Sequence, residues 1–347
     1  MFMPVALEGF GYNKIEIGII YAVAPFMRFL LPFLFKYYVK LTHKIYIYSL
    51  FLILISSTLF IFTVDNFIAY LFASLLLGAS MGVSLPFVET ISLQQLSKGV
   101  YGKVRMWGSV GFIVIALWLK ELDPLPITTI YIMVLTSFLT LIFGFFSLRY
   151  DKIKEQQKQE DESSFSLKKY WAFWTSIFLM QMAFGGFYTF FSLYETNHGF
   201  AEYFPYLWTF AVVCEIIMLY FQAPLLQKNL LTILKFATLM TVIRWLLLYL
   251  YPDSLEITFF SQSFHAISFA LYHTASITYV FSLYTQKRLA QQFFLGISFG
   301  LGGSIGSFVA GYIYGEYLFL FEAIITFGAF IMLVVHDKRK ISENLSS

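Results

Sequence analysis

Arg244 sits in the middle of FATLMTVIRWLLLYL, residues 236–250, an apolar run long enough to be part of a membrane span. Similar runs recur along the whole chain, and apolar stretches of about 18 residues or more mark transmembrane helices. Inside a bilayer every backbone polar group must be satisfied within the protein, so only helices and closed barrels cross it. The alternation of a barrel strand is absent here, which leaves helices. Composition agrees. Of 347 residues, 59% are hydrophobic and 12% charged, where a soluble domain carries about 25% charged residues.

Spans are expected at roughly 15–35, 45–63, 67–95, 103–119, 126–148, 171–195, 204–226, 232–251, 257–283, 289–315 and 317–336. Residues 1–8, MFMPVALE, read as the tail of a twelfth span whose first part is missing, because eight residues at about 1.5 Å each cannot cross a core of about 30 Å. They have neither the basic start nor the cleavage site of a signal peptide. The longest polar segment, RYDKIKEQQKQEDESSFSLKK, is a mixed-charge, Gln-rich stretch over 149–169. It divides the chain into an N-terminal helical half, 1–148, a linker, 149–169, and a C-terminal helical half, 170–347. Halves of similar span number are typical of transporters built from repeats.

Loop charges orient the chain. With the loop after the first full span in the cytoplasm, that side collects Lys36, Lys40, Lys44, Lys98, Lys103, the linker bases, Lys228, Lys235, Lys287, Arg288 and Lys338–Lys340. The opposite side keeps Lys14 and Lys120. The bias obeys the positive-inside rule and puts the linker and C-terminus in the cytoplasm. A multi-pass protein of a cell membrane is expected, with the lipid bilayer as its surroundings.

Charge inside the spans carries the functional signal. Arg28, Glu89, Arg105 and Glu215 interrupt apolar stretches as Arg244 does. Each costs roughly 2.5–3.5 kcal/mol at the bilayer centre, so such residues face a shared polar cavity and are functional by default. Structural ion pairing is the competing explanation for each. The single Cys214 excludes an internal disulfide framework and a multi-cysteine zinc site. No metal cluster, nucleophile constellation or phosphate loop appears. Neither an enzyme, a cofactor nor a nucleic-acid partner is expected.

Two constellations point further. The first is Pro86-Phe87-Val88-Glu89, a short loop, then Tyr101-Gly102-Lys103-Val104-Arg105-Met106-Trp107-Gly108. The second is LMQMAFGGFYTFFSLYETNHGF (179–200), Leu207-Trp208 followed by Cys214-Glu215-Ile216, Arg244, the segment Gln262–His273, and AQQFFLGISFGLGGSIGSFVAGYIY (290–314). In order and span placement these resemble the major facilitator superfamily, in the branch that joins lactose permease and the phenylpropionate permeases. The resemblance implies an all-α membrane fold of two six-helix halves, here with the first helix truncated. It implies substrate-binding roles for Glu89, Arg105 and Arg244, and binding or proton-coupling roles for Glu215 and His265. Where lactose permease has a proton-carrying carboxylate three residues beyond the histidine, this chain has Ser268. His273, eight residues beyond His265, shares a broad helix face with it and joins the proton-coupling candidates. The loop FKYYVKLTHK is basic but lacks the Gly and Asp usual after the second span of the superfamily.

Arg28 is a further cavity candidate, Tyr188 and Trp208 are candidates for stacking on a ligand, and Glu322, near a span end, is expected at the interface. Gly78/Gly82, Gly296/Gly300 and Gly311/Gly315 have the small-xxx-small spacing of close helix packing. Three cavity arginines against two carboxylates leave one positive charge, which an organic anion such as an aromatic carboxylate would satisfy. The expectation is a secondary active transporter for a small anionic organic solute, a monomer working by alternating access with proton symport. The alternatives are a sugar or nucleoside symporter, and a sensor or degenerate protein of the same fold.

Overall fold

A computed structural model describes residues 1–37, 42–95, 98–122, 125–150 and 165–346. The described elements are helical. A short α1 (Met3–Gly9) is followed by α2 (Lys14–Tyr37), α3 (His43–Thr63), α4 (Phe67–Gln95), α5 (Lys98–Glu121) and α6 (Pro126–Ser147). Then come α7 (Trp171–Asn197), α8 (Phe204–Phe221), α9 (Leu230–Leu250), α10 (Leu255–Ser263), α11 (Tyr272–Leu283), α12 (Lys287–Leu295), α13 (Gly303–Ile313) and α14 (Leu318–Ser346). Among the described residues nine helical stretches are long and apolar enough to cross a membrane. Helices α2 and α5 are each 24 residues long but carry several charges. The helices coincide with the expected spans, because an apolar run of span length has no other way to satisfy its backbone in lipid. The basic-loop residues 38–41 and most of the linker, 151–164, lie outside the described residues.

Local sequence sets the ends. Proline opens α1, α6 and α8, where its missing N–H would be unpaired in any case. The Asn229 side chain accepts from the amides of Leu231 and Thr232 to cap α9. Gly11 (φ 93°) and Gly199 (φ 84°) end α1 and α7 in the left-handed region, which glycine enters without a Cβ penalty. Two spans widen into π-helical turns, Ala266–Leu271 between α10 and α11 and Gly296–Gly302 between α12 and α13. Such turns are frequent at functional sites.

Close backbone approach holds the spans together. A Cβ on Gly78 would lie 2.5 Å from the Ala24 Cα, and one on Gly300 2.8 Å from the Phe29 Cβ. Gly18 and Gly311 face each other where α2 crosses α13, and there the Ser304 hydroxyl donates to the Ala22 carbonyl at 2.8 Å. Gly311 thus packs as its spacing suggested. Gly315 does not: it lies in the turn before α14 at φ 150°, with open space around it. On the other side of the bundle α5 meets α8, through Phe112 against Trp208 and Lys120 over the Tyr206 ring. Helix α7 runs through the middle of the core, against α13 and α14.

Candidate functional site

Arg244 is completely buried in α9. Its guanidinium lies over the Phe187 ring at 4.4 Å and the Trp245 ring at 4.7 Å. Nη2 donates to Gln262 Oε1 at 2.7 Å, and Nη1 donates to Ser268 Oγ at 3.1 Å. Nη1 also faces His265 Nδ1 at 3.1 Å. A guanidinium has donors only, so Nδ1 must be the acceptor. The single ring proton of His265 therefore sits on Nε2, which faces Glu215 Oε2 at 3.5 Å. Glu215 Oε1 in turn accepts from Ser109 of α5 at 3.5 Å. One chain of contacts thus links Gln262, Ser268, Arg244, His265, Glu215 and Ser109, and spans both halves of the molecule. The Nε of Arg244 has no hydrogen-bond partner among the described residues.

Aromatic rings wall this chain. Tyr188 stacks on Trp208 with centroids 6.0 Å apart, and Trp208 also packs on Phe187, directly beneath Arg244. The Trp208 indole donates to Ser192 Oγ at 2.9 Å. His265 stacks on Phe269 at 5.1 Å and Phe269 on His273 at 6.1 Å, so the two histidines are joined through a phenyl ring. The π turn at Ala266–Leu271 carries Ser268 toward Arg244 and Phe269 between the histidines.

The sequence candidates fall into three groups. Arg244, His265 and Glu215 are brought together, with Tyr188 and Trp208 beside them. Arg28 stands apart on α2: its Nε is buried, and no hydrogen bond joins it to the chain above among the described residues. The backbones of Glu89 and Arg105 belong to α4 and α5, and their side chains lie outside the described residues.

Two carboxylates were misjudged or missed from sequence. Glu322 was expected at the interface, yet it is only 2% exposed. It packs against Gly186 of α7 and interacts electrostatically with Arg244. Helix depth alone suggested the interface; the packing of α14 on α7 turned the side chain inward. Glu195, near the end of α7, is also fully buried, and neither of its oxygens has a hydrogen-bond partner among the described residues. The available signal was an acid closing an otherwise apolar run, SLYETN.

The sequence pattern of the MFS_1 like family matches residues 2–327. This chain belongs to that family. The facilitator chain is 25% identical over 228 residues to the probable 3-phenylpropionic acid transporter of Escherichia coli (strain K12). That match covers 63% of this chain and 59% of the relative, less than two thirds of the relative's length. Among solved structures, the nucleoside transporter NupG (D323A mutant) superposes with a TM-score of 0.76 at 15% identity, covering 96% of this chain and 97% of that one. The human organic anion transporter MFSD10 (TETRAN) superposes with a TM-score of 0.59 at 15% identity, over 95% and 83% of the two chains. At such identity the superpositions establish the fold: an all-α, multi-pass membrane protein of the facilitator type. These relatives are each described as transporters.

Proposed function

We propose that this chain is a secondary active transporter that moves a small organic anion, an aromatic carboxylate in the first instance, across the cell membrane with a proton. The observation that carries this is Arg244, buried, with an Nε that has no hydrogen bond among the described residues, its guanidinium against Phe187, Trp245 and Phe184, and Trp208 and Tyr188 packed behind Phe187. A carboxylate pairs with a guanidinium through charge-assisted hydrogen bonds, and a phenyl group packs among aromatic rings. The description of the Escherichia coli relative supports the same substrate class. Residues 1–148 and 170–347 form the two halves, joined by a cytoplasmic linker over 149–169. They rock about the Arg244–His265–Glu215 chain in a monomer to give alternating access. Arg28, Glu89 and Arg105 complete the binding side of the first half, and His273 extends the proton-coupling side of the second.

A neutral polyhydroxy solute such as a sugar or nucleoside is the second reading, and one observation favours it. Glu322 joins the cavity residues, so when it is ionised three arginines meet three carboxylates and no positive charge is left over. Uptake of radiolabelled 3-phenylpropionate into proteoliposomes, driven by an inward proton gradient, tests the first reading, with uridine and a sugar as comparators. Accumulation of 3-phenylpropionate that collapses with the gradient is expected. Accumulation of uridine or the sugar instead would replace the first reading with the second.

A further inference from the structure

Neither carboxylate oxygen of Glu322 has a hydrogen-bond partner among the described residues, and both are buried. Its place is built around it. A Cβ on Gly186 would overlap Oε1 and stand 3.3 Å from Cδ, so the acid lies directly against the bare glycine. Ala310 of α13 closes the same spot, 3.1 Å from where that Cβ would be. Arg244 of α9 is the one titratable group that interacts with Glu322 among the described residues. Helix α7 adds Tyr188, which interacts with Arg244 and Glu215. An ionised carboxylate taken out of water with no hydrogen bond is so costly that it neutralises instead. Glu215 is placed differently: it accepts from Ser109, faces the Nε2–H of His265, and keeps 13% of its side chain exposed.

We infer that Glu322 is the proton site of this protein, and that its proton is what makes room for an anion. The inference deepens the transport reading and rests on it. Glu89 and Arg105 cancel in charge whatever their arrangement. Arg28 and Arg244 then stand against Glu215 and Glu322. With a proton on Glu322 the cavity carries one net positive charge, which an organic carboxylate neutralises. One proton taken from one side forms the O–H bond of Glu322 and one carboxylate enters. On the other side that O–H bond breaks, the anion leaves, and the negative charge of Glu322 takes its place beside Arg244. No net charge crosses the membrane. His265 cannot serve this way while Arg244 donates into its Nδ1, and Ser268 has no titratable group. Glu195 of α7 is buried without a hydrogen bond among the described residues as Glu322 is, but it lies near the end of α7, and the charged or titratable groups that act on Arg244 there are Tyr188 and Glu322.

The test uses the full chain in lipid nanodiscs. In infrared difference spectra at neutral pH, the carbonyl stretch of a protonated carboxylic acid should be present in the wild type and lost in Glu322→Gln. Binding of 3-phenylpropionate is then followed from about pH 6 to 9, where the ligand itself stays ionised. Wild-type affinity should fall with rising pH, by up to about tenfold per pH unit, the slope for one linked proton. Glu322→Gln mimics the neutral acid, so it should bind at every pH as the wild type does at the acid end. If Glu322→Gln fails to insert, Glu322→Asp carries the test: drawing the acid back from Gly186 should shift its carbonyl band. An acid band unchanged in these variants, or an undiminished pH slope in Glu322→Gln, overturns the proton site. Should the wild type bind no 3-phenylpropionate at any pH, the aromatic-anion reading falls, and the infrared difference decides the proton site by itself.

Discussion

Helices α6 and α7 flank the linker, and both are apolar runs of span length, yet they live in different surroundings. In α7, 19 of 27 residues are buried; in α6 the number is 6 of 22. Helix α7 carries Gln181, Thr189, Ser192 and Glu195, all buried, and its rings support Arg244 and Trp208. Helix α6 packs one side on α1 and α3, and its Phe143, Phe145 and Phe146 stay exposed, as lipid-facing residues do. Among the described residues, ten of the twelve largest fully buried side chains lie in the second half. The lesson is that hydropathy measures suitability for lipid, whereas a polar group inside the membrane depends on which neighbours the packing supplies.

The largest effect that would break this comparison is steric. Gly306 of α13 meets α7 so closely that a Cβ would overlap the Met182 carbonyl, which is backbone and cannot swing away. A Cβ on Gly144 of α6 would lie 2.6 Å from the Leu50 Cδ1, the far end of a flexible side chain. Overpacking costs about 1–3 kcal/mol, so Gly306→Ala should fall at about 3 kcal/mol or beyond and Gly144→Ala below about 1 kcal/mol. Thermal unfolding of the detergent-solubilised variants reads the difference. Equal losses would mean that the α7–α13 contact is no tighter than that of α6.

Next in size is the fate of two arginines over phenyl rings. Arg149, exposed at the end of α6, lies 4.9 Å above Phe146. Arg244 lies over Phe187 of α7 with its hydrogen bonds enclosed. Lysine keeps the charge but loses the planar fork. Hydrogen bonds to charged groups contribute about 1.5–3 kcal/mol each, so Arg244→Lys should weaken 3-phenylpropionate binding at least about tenfold, with insertion retained. Arg149→Lys should leave both affinity and stability unchanged within about 0.5 kcal/mol. Ligand titration in detergent separates the two; undisturbed affinity in Arg244→Lys would show that the site lies elsewhere.

A smaller effect belongs to the indole of Trp208. Phenylalanine keeps the stack on Tyr188 but loses the bond to Ser192 of α7, worth about 1 kcal/mol. Trp208→Phe should lower the unfolding midpoint by a few degrees and leave the ring contacts to bind ligand. A loss of affinity without a loss of stability would instead place the indole N–H on the ligand.

The smallest contrast is between two serines. Ser176 of α7 donates to the Ala329 carbonyl of α14 at 2.8 Å, joining two helices. Ser137 of α6 donates to Met133 within its own helix at 2.8 Å and lies 2.7 Å from Ser57 Oγ. Interhelical hydrogen bonds in membranes average about 0.6 kcal/mol. Ser176→Ala should lose about that much and Ser137→Ala less, because Ser57 can turn to its own helix. Chemical denaturation of both in one detergent ranks them, and the reverse order would contradict the tighter setting of α7.

Much of the fold was legible in the chain, since each span announces itself as an apolar run and several breaks by Pro, Asn or Gly, as at Gly11, Gly199 and Asn229. The site was legible in part. Arg244 and Glu215 stood out because charge in a span is expensive and His265 through the resemblance, and the three do meet. Gln262 and Ser268 lay in the segment that carries the resemblance but, like Ser109, gave no sign of a role of their own, because Gln and Ser are unremarkable in polar segments and tolerable in apolar ones; their distances to Arg244 and Glu215 reveal it. Gly311 kept its packing role and Gly315 did not, since identical spacing says nothing of where a helix stops.

The sequence by itself determined that this chain crosses a membrane as helices, how many long runs it has, and that it holds charge at depth. Those outcomes follow from composition along one dimension, because lipid offers the backbone no partner. Only the tertiary structure decided which way each span faces. Glu322 and Glu215 are both acids in apolar helices, yet one lies against Gly186 without a partner and the other beside His265 and Ser109. The angle of a side chain about its helix axis is set by the helices packed around it, and that angle separates a silent acid from one that can hold a proton.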